Sequence, residues 1–337
     1  MFINKYIEVI VISAILLFGK GNALQAQGER RADPSLEEEL RQHLRKLDRW
    51  GIVQLLRTEK AIDEKQKKRA KSTSNPEELS LLAEDEDSGV RFYVAANRHV
   101  PLDVQLHLAD DDEALVRSGI ALSLDYDPLA SSLQKKLKTR LALKLAADPQ
   151  PIVRLSLVSN RKLPDEAYEI LARDTDPVIR QKLAENIRLT RTVLAIIAQD
   201  SLAVIRATAA SHDNMDPILL TQLSNDANSA VREAVAGNIN ISADILDQLA
   251  DDLTVGVRLA VARHHNTRVE TLKRLADDPD LDIQQSVAQH PQADRTLLLA
   301  LSNFDRDLAV RQVARKRLEP VLREEIREDV LERWGAR

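Results

Sequence analysis

The chain has 337 residues, of which 30% are charged and only 3% aromatic, and its formal net charge is −5. Ala and Leu dominate the apolar set, which suits packed helices and argues against a β-sandwich; charge spread along the chain with an acidic excess argues against a large nucleic-acid surface. With no cysteine at all, disulfides, thiolate metal sites and a cysteine nucleophile are excluded.

Residues 1–26 read as a signal peptide. Lys5 supplies a short positive region, Val9 to Phe18 form an uncharged apolar run, and Leu24, Gln25 and Ala26 make a small-residue cleavage site. The apolar run is about half of the roughly 20 residues that a membrane span needs. The expected location is therefore outside the cytosol, in the periplasm or cell envelope, with membrane contact only if this segment stays uncleaved. Residues 27–75 form a charged helical lead-in. Ser35 with Glu38 makes a capping box, and Leu36, Leu40, Leu44 and Leu47 follow at helical spacing. The basic stretch Lys65 to Lys71 is expected to be a solvated helix face, supported by the acid-before-base pairs Asp63–Lys67 and Glu64–Lys68.

From about residue 76 to 318 one motif recurs nine times. Its anchor is an apolar residue followed by arginine: Val90-Arg91, Val116-Arg117, Val153-Arg154, Ile179-Arg180, Ile205-Arg206, Val231-Arg232, Val257-Arg258, then Ile283-Gln284 and Val310-Arg311. From Val153 to Ile283 the anchors keep one interval of 26 residues, the mark of a tandem array. A Leu-x-x-Leu-Ala stretch, as in Leu246 to Ala250 or Leu272 to Ala276, marks a second helix in each unit. Helices this short are marginal alone and hold only by packing on neighbours. The expected fold is all-α: a right-handed α-solenoid of about nine two-helix repeats, α/α or α/3-10, closed by a capping helix over 319–337.

Two polar rows accompany the anchors. Six residues before each arginine position stands an aspartate, pairing Asp85 with Arg91, Asp111 with Arg117, Asp148 with Arg154, Asp174 with Arg180, Asp200 with Arg206, Asp226 with Arg232, Asp252 with Arg258 and Asp305 with Arg311; Asp278 precedes Gln284. A carboxylate there can cap the anchor helix, and the arginine can reach a carboxylate of its own or an adjacent unit. The expectation is a structural Asp–Arg ladder rather than an anion-binding stripe. Six residues after the arginine position stand Asn97, Ser123, Asn160, Asn186, His212, Asn238, His264, His290 and Arg317. Asparagine tolerates the left-handed conformation that ends helices, so a capping role is expected. His264 and His290 are the candidate pair for a metal, with no third ligand evident.

The largest break in the period is an insertion between Ser123 and Leu141 that offers Tyr126, Lys135 and Lys136. With His265 these are the candidate partner-binding residues. The insertion reads equally as a protruding site or as a plain surface addition.

The stretch Val231-Arg232-Glu233-Ala234-Val235-Ala236-Gly237-Asn238, and its counterpart from Val257 to His264, resembles the bacterial leucine-rich repeat variant family, a relative of HEAT-like α-solenoids. The resemblance implies units pairing an α-helix with a 3-10 helix. That family commonly places Pro after the Asn, and here only His290-Pro291 keeps the equivalent. One member carries a cysteine-ligated iron–sulfur segment, which this cysteine-free chain cannot build, so no cofactor is expected. No catalytic motif stands in the chain, and the recurring acid pairs Asp251-Asp252 and Asp277-Asp278 follow the repeat. A non-enzymatic exported scaffold for a protein or peptide partner is the expected function. The alternatives are a HEAT-like enzyme or accessory, since some HEAT-like proteins are lyases or glycosylases, and a membrane-attached adaptor held by an uncleaved N-terminus.

Overall fold

The computed structural model describes residues 64–334 apart from 128, 130, 161, 304 and 305. The signal peptide, the capping box at Ser35 and Glu38, Asp63 and Asp305 lie outside the described residues. Every regular element among the described residues is an α-helix. The chain divides into two compact units, Met1–Ile205 and Arg206–Arg337.

The first unit contains α1 (Glu64–Ser72), α2 (Pro76–Leu82), α3 (Ser88–Ala95), α4 (Leu102–Leu108), α5 (Ala114–Ser123), α6 (Ser132–Ala146), α7 (Pro151–Val158), α8 (Asp165–Ala172), α9 (Pro177–Ala184) and α10 (Arg191–Ile197). The division falls inside α11 (Ala203–Ala210). The second unit continues with α12 (Pro217–Leu223), α13 (Ser229–Ala236), α14 (Ala243–Leu249), α15 (Val255–Arg263), α16 (Val269–Leu275), α17 (Leu281–Gln289), α18 (Arg295–Leu301) and α19 (Leu308–Trp334). From α3 onward the odd-numbered helices carry the anchors and the even-numbered ones are the second helices, so each repeat is α/α. Where the family resemblance implies a 3-10 second helix, each described second helix is α.

Local chemistry starts and stops these short helices. Asp87 accepts from the Gly89 amide ahead of α3, and Asp176 and Asp216 do the same for α9 and α12, with Pro at the first helical position. The aspartates of the recurring row are not these caps. They sit two residues earlier: Asp85 takes the Asp87 amide and Asp174 the Asp176 amide, closing the turn that leads into the helix. The sequence expectation of direct helix capping is corrected to that extent.

Stacking then stabilises what the helices alone cannot. In the first unit α3 packs on α5, α5 on α7 and α7 on α9; in the second, α13 packs on α15, α15 on α17 and α17 on α19. All nine anchor apolar residues, from Val90 to Val310, are buried. Each unit is thus a run of α-solenoid layers with its core along the anchor row. A close approach is made at Gly119 in α5, where an added Cβ would stand 2.8 Å from Ala95 Cβ and 3.0 Å from the Phe92 carbonyl oxygen. Gly119→Ala is therefore expected to cost about 1–3 kcal/mol through overpacking despite the better helix propensity of alanine. Chemical denaturation of the variant checks this; an unchanged or raised midpoint would show that α3 and α5 can separate freely.

The C-terminal end differs from expectation. No separate capping helix begins at 319: the ninth anchor helix runs unbroken from Leu308 through Pro320 to Trp334. Residues 319–334 are rich in Glu, Arg and Leu, strong helix formers that sustain the helix past one proline.

Candidate functional site

The arginine row turns inward. Arg91 Nε and Nη2 donate to Asp111 at 2.7 and 3.1 Å, while Nη1 donates to the carbonyls of Asp85 and Glu86. One guanidinium therefore grips the next repeat's carboxylate in a two-pronged pair and its own repeat's turn at the same time. The same rung recurs as Arg117–Asp148, Arg154–Asp174 and Arg180–Asp200 in the first unit, and as Arg206–Asp226, Arg232–Asp252 and Arg258–Asp278 in the second. The hydrogen-bonded carboxylate raises the pKa of Arg154 and Arg180 above the ordinary guanidinium value. For Asp226 and Asp252, burial pushes the carboxyl up, but the bonds from Arg206 and Arg232 and from backbone amides outweigh it and hold both below the usual range. Gln284 keeps half of the rung by donating to the Asp278 carbonyl at 2.7 Å. Arg311 is described, but its paired Asp305 is not.

The second row is also a ladder. Asn97 Nδ2 donates back to the carbonyls of Ala70 and Thr73, Ser123 Oγ to Ala95, Asn160 to Leu124, and Asn238 to Ala210 and His212. Asn186 turns to the Tyr168 hydroxyl instead. His264 Nε2 bonds the Asn238 carbonyl at 2.9 Å, His290 Nε2 the His264 carbonyl at 2.9 Å, and Arg317 the carbonyls of Ala288 and His290. The expected left-handed cap is corrected for the histidines: His264 lies at φ −80°, ψ 128° and His290 at φ −66°, ψ 133°, both extended. Their task is to tie one repeat to the last.

Both imidazoles are fully engaged. Nδ1 of His264 accepts the Asn266 amide and Nδ1 of His290 the Gln292 amide, so Nε2 must carry the proton. No nitrogen lone pair is left for a metal, which removes the geometric basis of the candidate pair. Burial lowers both pKa values below the ordinary histidine value, chiefly by desolvation.

The other sequence candidates separate. Tyr126 is only 8% exposed. It is corrected: the inserted loop folds its apolar ring inward rather than presenting it. Lys135 and Lys136 are exposed on the first turns of α6, a 15-residue helix where most second helices have seven or eight. The insertion is thus a loop plus a lengthened helix. His265 is exposed, its ring 4.5 Å from that of His264. In the lead-in, Lys67 is buried and lies with Lys71 over the Tyr93 ring, at 5.1 and 4.1 Å from its centre. That basic stretch is only partly the solvated face expected.

Two features escaped sequence reasoning. Asn240, Asn266 and Gln292 form a further row, donating to the carbonyls of Asp213, Ile241 and His265; their shared 26-residue register was the available signal. The other is a row of exposed bulky apolar residues opening the last three anchor helices: Val255, Leu281 and Leu308, with Leu253 in the preceding loop. The six earlier repeats carry Ser88, Ala114, Pro151, Pro177, Ala203 and Ser229 in that register.

The family model described as leucine rich repeat variant matches residues 255–280, the span from α15 to the turn before α17. One repeat of the array is thus similar to the leucine-rich repeat variant, and the described residues form a helical repeat array. That matched variant unit holds the complete Arg258–Asp278 rung. Among solved structures, one titled a leucine-rich repeat variant with a novel repetitive protein structural motif is 24% identical, with a TM-score of 0.49, and covers 64% of this chain and 81% of its own. The X-ray structure of YibA from Escherichia coli is 20% identical, with a TM-score of 0.34, covering 75% of this chain and 95% of its own. No curated protein matches this chain.

Proposed function

We propose that this chain is an exported scaffold that holds a protein or peptide partner in the cell envelope. The observation that carries the reading is a division of labour. The recurring arginines, aspartates, asparagines and histidines are spent on joining repeats, whereas bulky apolar side chains such as Leu81, Ile187, Ile218, Ile239 and Leu253 stand exposed outside those joining rows. Apolar groups offered to solvent on a rigid repeat surface suit contact with a macromolecule better than chemistry on a small substrate. The N-terminal apolar run supports export. Among the described residues no helix is long and apolar enough to cross a membrane.

The test has two arms. N-terminal sequencing of the mature protein is expected to begin after Ala26; a mature chain beginning at Met1 would overturn the export arm. Photo-crosslinkers at Ile239 and Leu253 in living cells are expected to give a reproducible protein adduct, and a clean absence of adducts would overturn the scaffold arm.

A further inference from the structure

The exposed row at the end of the array differs from the rest of the surface in chemistry as well as size. Leu253 is 97% exposed, Val255 40%, Leu281 46% and Leu308 59%. Three of the four occupy one register in consecutive repeats, so they line a single edge. The rungs hold that edge together: Arg258 joins the Asp252 and Leu253 carbonyls to the Asp278 carboxylate, and Arg306 reaches the Ala276 carbonyl and Asp277 from the last repeat. A row of exposed bulky apolar side chains in one register is unusual on a solvated surface.

Carboxylates interleave it. Asp251, Asp282 and Asp307 are exposed, and Asp280 is half-buried at the start of α17. Asp280 and Asp307 use one oxygen on the Asp282 and Ala309 amides. The local cations are already tied: Arg306 to Asp277, Arg274 to Asp247 and Asp251, and Arg258 to Asp278. An apolar row in an acidic frame complements a segment that alternates apolar and basic side chains.

We infer that this edge of the second unit is a docking surface for a basic, leucine-bearing segment of a partner protein. The inference rests on the scaffold reading and names the chemistry of what is held. Leucines of the segment lie along Leu253, Val255, Leu281 and Leu308, and its lysines or arginines meet Asp280, Asp282 and Asp307.

The experiment titrates the full chain with three labelled peptides of equal length: an amphipathic Leu/Lys repeat, a Lys/Ser repeat of the same charge, and a Leu/Glu repeat. The Leu/Lys peptide is expected to bind about tenfold or more tightly than Lys/Ser, and Leu/Glu not at all. The variant Leu253→Asp/Leu281→Asp is expected to weaken Leu/Lys binding about tenfold, although it adds negative charge that plain electrostatics would reward. Leu81→Asp/Ile218→Asp changes the charge equally at exposed sites outside the row and is expected to leave binding unchanged. Equal loss in both variants, or no preference for Leu/Lys over Lys/Ser, overturns the proposal. So does self-association in sedimentation velocity that the Leu253→Asp/Leu281→Asp variant abolishes, since the row would then belong to a second copy. Partner adducts that persist in that variant overturn this surface and leave the scaffold reading standing; an absence of adducts anywhere strikes the scaffold reading, and the peptide titration still decides the surface.

Discussion

Arg154→Ala is expected to destabilise the first unit by about 3–5 kcal/mol, the range for removing one partner of a buried ion pair. The Arg154 and Asp174 side chains are 11% and 3% exposed, so the abandoned carboxylate is left without its guanidinium where water barely reaches. The Asp148 and Pro149 carbonyls lose their donor in the same step. Asp174→Asn is expected to cost less, because an amide can still accept the Asp176 amide and leaves no stranded negative charge. The double variant is expected to fall short of additivity, with a coupling of about 1–3 kcal/mol. Arg154→Lys is expected to recover little, since a single ammonium cannot hold two carboxylate oxygens and two carbonyls together. Urea unfolding gives the totals, and hydrogen exchange at α7 and α9 locates the loss. A cost below about 1 kcal/mol, the range of surface pairs, would show that the rungs are ornamental to stability.

The second large effect is on pH. His264 and His290 are buried and hydrogen-bonded in a form that requires both rings to be neutral. A proton on Nδ1 would set N–H against N–H and add charge next to His265, to the other buried ring and, for His290, to Arg317. Their folded pKa values lie below the unfolded value of about 6.5, so at mildly acidic pH the unfolded chain binds more protons than the folded one. Stability is therefore complete above about pH 6.5 and falls as pH drops below it, by up to about 1.4 kcal/mol per pH unit for each histidine. Asp226 and Asp252, with pKa values lowered, contribute in a separate window, with stability lost below about pH 4. Asparagine already occupies the same register at Asn97, Asn160, Asn186 and Asn238, and Asn238 makes the equivalent pair of bonds, to the His212 carbonyl and from the Asn240 amide, without titrating. His264→Asn/His290→Asn is thus expected to fold and to flatten the profile between about pH 7 and 5. An unchanged acid limb in that variant would assign the sensitivity to other groups.

Much of the site was legible in the chain because its chemistry recurs. Asp and Arg six apart announce a rung, yet the obvious pairing, Asp85 with Arg91 or Asp174 with Arg180, is made only through the aspartate's carbonyl. The carboxylate goes to the arginine of the preceding repeat. That forward step could not be read from spacing, since every rung offers both choices and only the stacking offset selects one. The histidines were legible as members of a row, but their neutrality follows from which backbone atoms the neighbouring repeats present. Tyr126 was misjudged for a related reason: an aromatic in an insertion has the same local pattern whether it points out or folds in.

From residue order alone come the 26-residue period, the helical class of each segment and the identity of the joining rows, because each depends on contacts or spacings within one repeat. Tertiary structure alone decided which carboxylate each arginine holds, which histidine nitrogen carries the proton, that Lys67 lies buried against Tyr93, and that the closing helix is continuous with the ninth anchor helix. Those outcomes turn on partners about 20 or more residues away, or on whether a neighbouring layer covers a side chain. Only the stacked repeats bring those groups within hydrogen-bonding distance and set the local dielectric.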